Sequence, residues 1–85
     1  MKTKENLILI GVISAAYKLH GEIILNSLFT SHSNISKIKI WDQNGNIIRL
    51  ISSKKYKKNK LICKIENCRD RDKAESFVTT QLFCD

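Results

Sequence analysis

The chain has 85 residues, of which 42 % are hydrophobic and 27 % charged, with no proline and three glycines. That length holds one small domain, and that balance excludes a disordered chain or a flexible Gly/Pro-rich linker. Fifteen Lys and Arg face eight Asp and Glu, and the resulting charge of +7 attracts polyanions such as RNA, DNA or an anionic membrane, although a lysine-rich composition can also arise with no special partner.

At the start, Lys2 and Lys4 precede an apolar run over residues 7–13, and Ala15 and Ala16 follow it, as in a secretory signal. Glu5 in the basic stretch, and Gly11 and Ser14 within the apolar one, speak instead for a buried strand. The run is also shorter than the about 20 residues a membrane span takes. Residues 6–14 are expected as the first strand, and export with cleavage after residue 16 stays as an alternative. Residues 20–28 read as a second strand, with 15–19 as the connection and 30–34 as a polar loop.

Residues 35–41 alternate, Ile38 and Ile40 pointing one way and Lys37 and Lys39 the other, which is the period of a half-buried strand. Trp41 ends it and is expected to pack rather than to stack on a ligand. Asn44-Gly45 then predicts a tight hairpin, because both residues tolerate positive φ, and residues 47–53 form the return strand. Lys54, Lys55, Lys57, Lys58 and Lys60 surround Tyr56 and Asn59, the densest charge in the chain, in an expected hairpin connection. Such lysines neutralise phosphates without reading sequence, or simply solvate a turn and discourage aggregation.

Residues 61–66 make another strand, with Leu61, Cys63 and Ile65 on one face. The period then changes: Ala74, Phe77 and Val78 form one helical stripe, with Asp70 or Asn67 as cap and Asp70 and Asp72 at the positive end of the macrodipole. Residues 82–84 suit a last strand. Many short strands, tight turns and one short helix predict an all-β fold, a small antiparallel β-barrel with the helix near the C-terminus.

Cys63, Cys68 and Cys84 are odd in number and include no Cys-x-x-Cys, and His20 and His32 lie far from them in sequence. No metal site and no disulfide is therefore expected, and unpaired thiols suit a cytoplasmic protein. The carboxylates of Asp70, Asp72 and Glu75 sit beside Arg71 and Lys73 on a short exposed helix, where capping and ion pairing explain them better than acid–base catalysis. With no activated nucleophile in view, no enzyme is expected.

Two segments suggest a family. GVISAAYKLHGEIIL (11–25) resembles the opening motif of RimM proteins, a strand ending in Gly-x-Ile, a loop, then Gly-Glu-Val and a second strand. DRDKAESF (70–77) resembles the RimM segment Asp-Asp-Arg-x-x-Ala-Glu-x-Leu, which begins a short helix late in the same domain. Their order and separation match, and the resemblance covers nearly the whole chain. It departs in the loop, where the usual Gly-Ala-His-Gly is Ala15-Ala16-Tyr17-Lys18, and after the late helix, where a usual glycine is replaced near Thr79 or Thr80.

The resemblance implies a six-stranded antiparallel barrel related to those of translation factors. It implies that residues 1–85 are the first of two domains, without the second, PRC-type barrel. It also implies a non-enzymatic ribosome maturation factor with no cofactor, acting late in maturation of the small-subunit head. The implied partners are the immature small subunit, through 16S rRNA and ribosomal protein number nineteen. No membrane and no small-molecule substrate is expected, and a monomer is. The rival readings are a stand-alone basic barrel binding single-stranded RNA and, further off, a secreted small β protein. Six aromatics scattered along the sequence speak against the first of these rivals.

The candidate contact residues are Tyr17, Lys18 and His20 in the first loop and Lys54, Lys55, Lys57, Lys58 and Lys60 in the later connection. An aromatic between basic groups can stack on a base and hold a phosphate, or fold its ring onto the barrel. Gly11, Gly21, Glu22, Asp70, Arg71, Ala74 and Glu75 carry the family motifs. For Gly21-Glu22 a backbone bend is preferred over a ribosome-facing edge.

Overall fold

The computed structural model describes residues 7–28 and 38–84. The basic start at Lys2 and Lys4, the polar loop over 30–34 and residues 35–37 of the strand expected over 35–41 lie outside the described residues. Seven strands are described: β1 (Ile8–Tyr17), β2 (Glu22–Ser27), β3 (Ile40–Asp42), β4 (Ile47–Ile48), β5 (Leu50–Lys57), β6 (Lys60–Ile65) and β7 (Gln81–Cys84). One helix, α1 (Arg71–Glu75), precedes β7. All strand pairs are antiparallel, in the order β4-β3-β7-β1-β2-β6-β5.

The strand count differs from the expected six because the run expected as one strand over 47–53 breaks at Arg49. Its first half, β4, pairs with β3, and its second half, β5, pairs with β6. Those are the two edges of the sheet. The hydrogen-bonded ladder is therefore open, yet one stretch of chain passes from one edge to the other through Arg49, whose carbonyl accepts from the Glu66 N–H at 2.8 Å. Taken as a single bent strand, β4 and β5 restore the count of six and curl the sheet into a barrel-like shape.

Inside lie Ile10, Ile13, Ile23, Leu25, Leu61, Cys63 and Leu82, each fully buried. In β6 the inward set is Leu61, Cys63 and Ile65, as alternation predicts. β1 obeys a different spacing: Ile10, Ile13 and Ala16 all meet the core. Two register shifts explain it, one against β7 between Leu9 and Gly11 and one against β2 between Ile13 and Ala15. Each adds a residue and turns the next side chain back inward. β1 also runs on to Tyr17, beyond the expected end at residue 14, and lies between β7 and β2. Cleavage after residue 16 would remove it from the middle of the sheet.

The β3–β4 turn forms where Asn-Gly predicts it, but Gly45 alone takes a positive φ, 85°. The Asp42 carboxylate shapes the rest, accepting from the N–H groups of Asn44 and Asn46 at 2.8 and 2.9 Å. α1 is shorter than two turns. Asp70 caps it, accepting from the Lys73 N–H at 2.8 Å, whereas Asn67 sits at φ 66° in the turn after β6. Ala74 is fully buried, Phe77 packs against the core, and Trp41 is buried as expected.

Candidate functional site

The four-residue turn between β1 and β2 sits on the segment that leads into α1. Gly21 has φ 89°, and a Cβ there would lie 2.2 Å from the Cys68 carbonyl oxygen. Only a residue without a side chain allows that approach. Arg71 donates from its guanidinium to the Lys18 carbonyl at 3.1 Å and to the Glu75 carboxylate at 2.9 Å. Lys64 donates to the carbonyls of both His20 and Cys68. The segments around Gly21-Glu22 and Asp70–Glu75 thus form one packed unit, and Arg71 and Lys64 satisfy turn carbonyls that no strand partner reaches. Gly11 serves a similar end in β1, where a Cβ would lie 2.5 Å from the Asn26 carbonyl oxygen.

The turn residue Lys18 is held at φ 58°, and Thr79, after α1, at φ 74°. Each residue holds a left-handed conformation that glycine adopts more easily.

The Cys68 thiol, behind the turn, is pushed up by burial, with Asp70 adding to the rise and Lys64 and Lys73 opposing it. Cys63, within the core, is pushed up to about 12 by burial. Both read as packing groups rather than nucleophiles at neutral pH.

Several of the candidate residues are not in loops. Tyr17 ends β1 and pairs with Glu22, so of the loop cluster only Lys18 and His20 lie in the turn. Lys54, Lys55 and Lys57 belong to β5, Lys60 begins β6, and the turn itself is Lys58-Asn59, with Asn59 at φ 63°. The correction has a simple cause. Lysines disfavour buried strands, but β5 is a sheet edge, and an edge tolerates charge on both faces.

The fold then joins what the sequence keeps apart. The rings of Tyr17 and Tyr56 meet edge to face with centroids 5.6 Å apart. The Lys18 ammonium lies 5.2 Å from the Tyr17 ring centroid and the Lys57 ammonium 5.1 Å from that of Tyr56. The loop cluster and the lysine-rich hairpin are therefore one surface. Sequence reasoning singled out both tyrosines but not their pairing, and it missed Lys64 altogether. Outward alternation beside Cys63 and Ile65 marked Lys64 as a surface residue, and nothing local indicated the two carbonyls it holds. His20 contributes its backbone carbonyl to the Lys64 contact. A separate groove of about 460 Å³ lies at the β4/β5 break, between Ile38, Ile47 and Ile51 and the charged groups of Arg49 and Glu66.

Comparison with known proteins agrees with this architecture. Residues 8–85 match the family model of the RimM N-terminal domain. The ribosome maturation factor RimM of Orientia tsutsugamushi strain Ikeda is 36 % identical over 83 residues, which are 98 % of this chain and 50 % of that protein. The RimM of Rickettsia typhi is 31 % identical over 84 residues, covering 99 % of this chain and 51 % of its own length. The chain spans about half the length of the curated relatives it matches.

Among solved structures, the 16S ribosomal RNA processing protein RimM of Pseudomonas aeruginosa superposes with a TM-score of 0.83 at 20 % identity, covering 94 % of this chain and 51 % of that one. The RimM N-terminal domain of Thermus thermophilus superposes with a TM-score of 0.77 at 16 % identity, covering 94 % of this chain and 89 % of that one. Motif, register and superposition converge, and the chain belongs to the RimM N-terminal domain family.

Proposed function

We propose that the chain is the maturation-factor domain that binds the immature small ribosomal subunit and biases its RNA and protein toward the mature arrangement. The observation that carries this reading is the family match over residues 8–85, with relatives named ribosome maturation factor. The mechanism needs binding alone. A factor with higher affinity for one arrangement shifts the population toward it by that difference in affinity. On this reading the partners are 16S rRNA and ribosomal protein number nineteen in the subunit head. The domain acts in the cytoplasm as a monomer, with no catalytic residue and no cofactor. Its contact face comprises Tyr17, Lys18 and His20 with Lys54, Lys55, Lys57, Lys58 and Lys60.

Co-sedimentation with immature and mature small subunits across a salt series tests it. Preference for the immature particle, weakening with salt and weakened further when Lys54, Lys55, Lys57 and Lys58 are all changed to Ala, is the expected result. Equal binding to both particles overturns the reading. So does no binding to either, if fusing on the second half of a relative does not restore it.

A further inference from the structure

We infer that the outward face carrying Tyr17 and Tyr56 is a platform for unpaired RNA, on which a base stacks against tyrosine while the lysines of the β5–β6 hairpin hold the flanking phosphates. The inference rests on the maturation reading above and names the chemistry of one contact within it.

The two tyrosines stand on β1 and β5, with β2 and β6 between them. Strands pack about 4.8 Å apart, so the two backbones are roughly 14 Å apart in the sheet. Their rings meet only by leaning toward each other across β2 and β6. The face they cross carries Ile24 and Ile62, which are directly paired. Ile62 points away from the core and is still only 4 % exposed. The two rings hold each other edge to face, and Tyr56 remains 39 % exposed.

Each ring carries an ammonium about 5 Å from its centre, Lys18 on one side of the pair and Lys57 on the other. A nucleotide presents the complementary set, a flat π-face with an anion one sugar away. Charge continues along the hairpin through Lys54, Lys55, Lys58 and Lys60, all exposed. Glu22 is paired with Tyr17 and disfavours a second anion there, which assigns the phosphates to the hairpin side.

Protection of a sheet edge accounts for the lysines of β5, but not for Lys18 across the same ring pair. An acidic protein would use the cations and leave the rings idle. A duplex hides the faces of its bases, so the rings favour single strands over duplex.

The test is fluorescence anisotropy of the 85-residue chain with a short labelled single-stranded RNA, the same sequence as a duplex, and an acidic peptide, across a salt series. Tyr56→Leu keeps an apolar side chain at that position but removes the π-face, and circular dichroism verifies its fold. It is expected to weaken single-strand binding about tenfold and to leave duplex binding unchanged, whereas Tyr56→Phe retains both. Lys57→Ala is expected to reduce the salt slope for the single strand by roughly 0.7.

Equal affinity for single strand and duplex, full binding by Tyr56→Leu, or an acidic peptide that matches RNA overturns the platform. Particle sedimentation on the same variants separates the two readings. A chain that prefers immature particles with no tyrosine dependence toward RNA overturns the platform and leaves the maturation reading standing. Tyrosine-dependent RNA binding without particle preference supports the platform and overturns the maturation reading in favour of a stand-alone RNA-binding barrel.

Discussion

The rings of Tyr17 and Tyr56 meet at an interplanar angle of 65°, with their centroids 5.6 Å apart. One ends β1 and the other lies where the register of β5 against β6 shifts between Lys55 and Lys57. The contact links the inner part of the sheet to its edge strand on the solvent side. Aromatic pairs of this geometry contribute about 1 kcal/mol beyond the area they bury. A double-mutant cycle with Tyr17→Leu and Tyr56→Leu, read by urea unfolding, is expected to show a coupling of about 1 kcal/mol. Strict additivity of the two substitutions would mean that the rings touch without mutual stabilisation.

Gly21 is the least replaceable turn residue. Gly21→Ala puts a methyl group 2.2 Å from the Cys68 carbonyl oxygen and forces an L side chain to φ 89°. The conformational penalty and the overpacking together cost about 2–4 kcal/mol. For a domain of this size that lowers the midpoint of a calorimetric melt by about 10 °C or more. Gly11→Ala meets the Asn26 carbonyl oxygen at 2.5 Å, but the backbone there does not take a positive φ, and the substitution should be the milder of the two.

Thr79 predicts the opposite sign. A β-branched residue at φ 74° carries a penalty that glycine lacks, while the backbone hydrogen bond from the Thr79 N–H to the Ile13 carbonyl at 2.8 Å is available to either residue. Thr79→Gly is expected to raise stability by about 1 kcal/mol, net of the added freedom of the unfolded chain. A lower midpoint than that of the parent in urea would show that the threonine side chain contributes more than its backbone strain costs.

Arg71 links α1 to the β1–β2 turn through the Lys18 carbonyl. Its side chain is about half exposed, so solvent screens much of the ion pair with Glu75. Arg71→Ala should therefore cost no more than about 1 kcal/mol globally. Its stronger signature is local: faster amide exchange across the turn residues 18–21, with β2 and β6 unaffected. Exchange that accelerates evenly through the sheet would contradict the local role.

Burial holds the Cys63 thiol up at about 12, against an ordinary value of 9.0. The folded state binds this proton more tightly than the unfolded one. The stabilisation is thus complete below pH 9 and is lost as pH rises from 9 toward 12, by about 1.4 kcal/mol per pH unit. The parent chain should lose stability more steeply than Cys63→Ala across that window, and the two profiles should run parallel below it. Parallel profiles throughout would mean that the thiol is reached by water in the folded state.

Local chemistry made much of this protein legible from its sequence. Alternation marked the inward residues of β6, Asn44-Gly45 marked its turn, and Asp70 marked the start of α1, because each signal depends on neighbours a few residues away. The motif pair around Gly21 and Asp70 carried the family. Distant packing decided the rest. The Ile10, Ile13 and Ala16 spacing in β1 resembles a helix until two register shifts explain it. Arg49 divides a uniform-looking strand because its two halves answer to opposite edges of the sheet. The lysines at 54, 55 and 57 look like a loop until β5 is known to be an edge. Whether Tyr17 and Tyr56 form one surface or two depends on which strands lie between them, and that is set by the strand order of the whole sheet. A side chain's type and its near neighbours determine what it can do, and only the tertiary structure determines what it does it with.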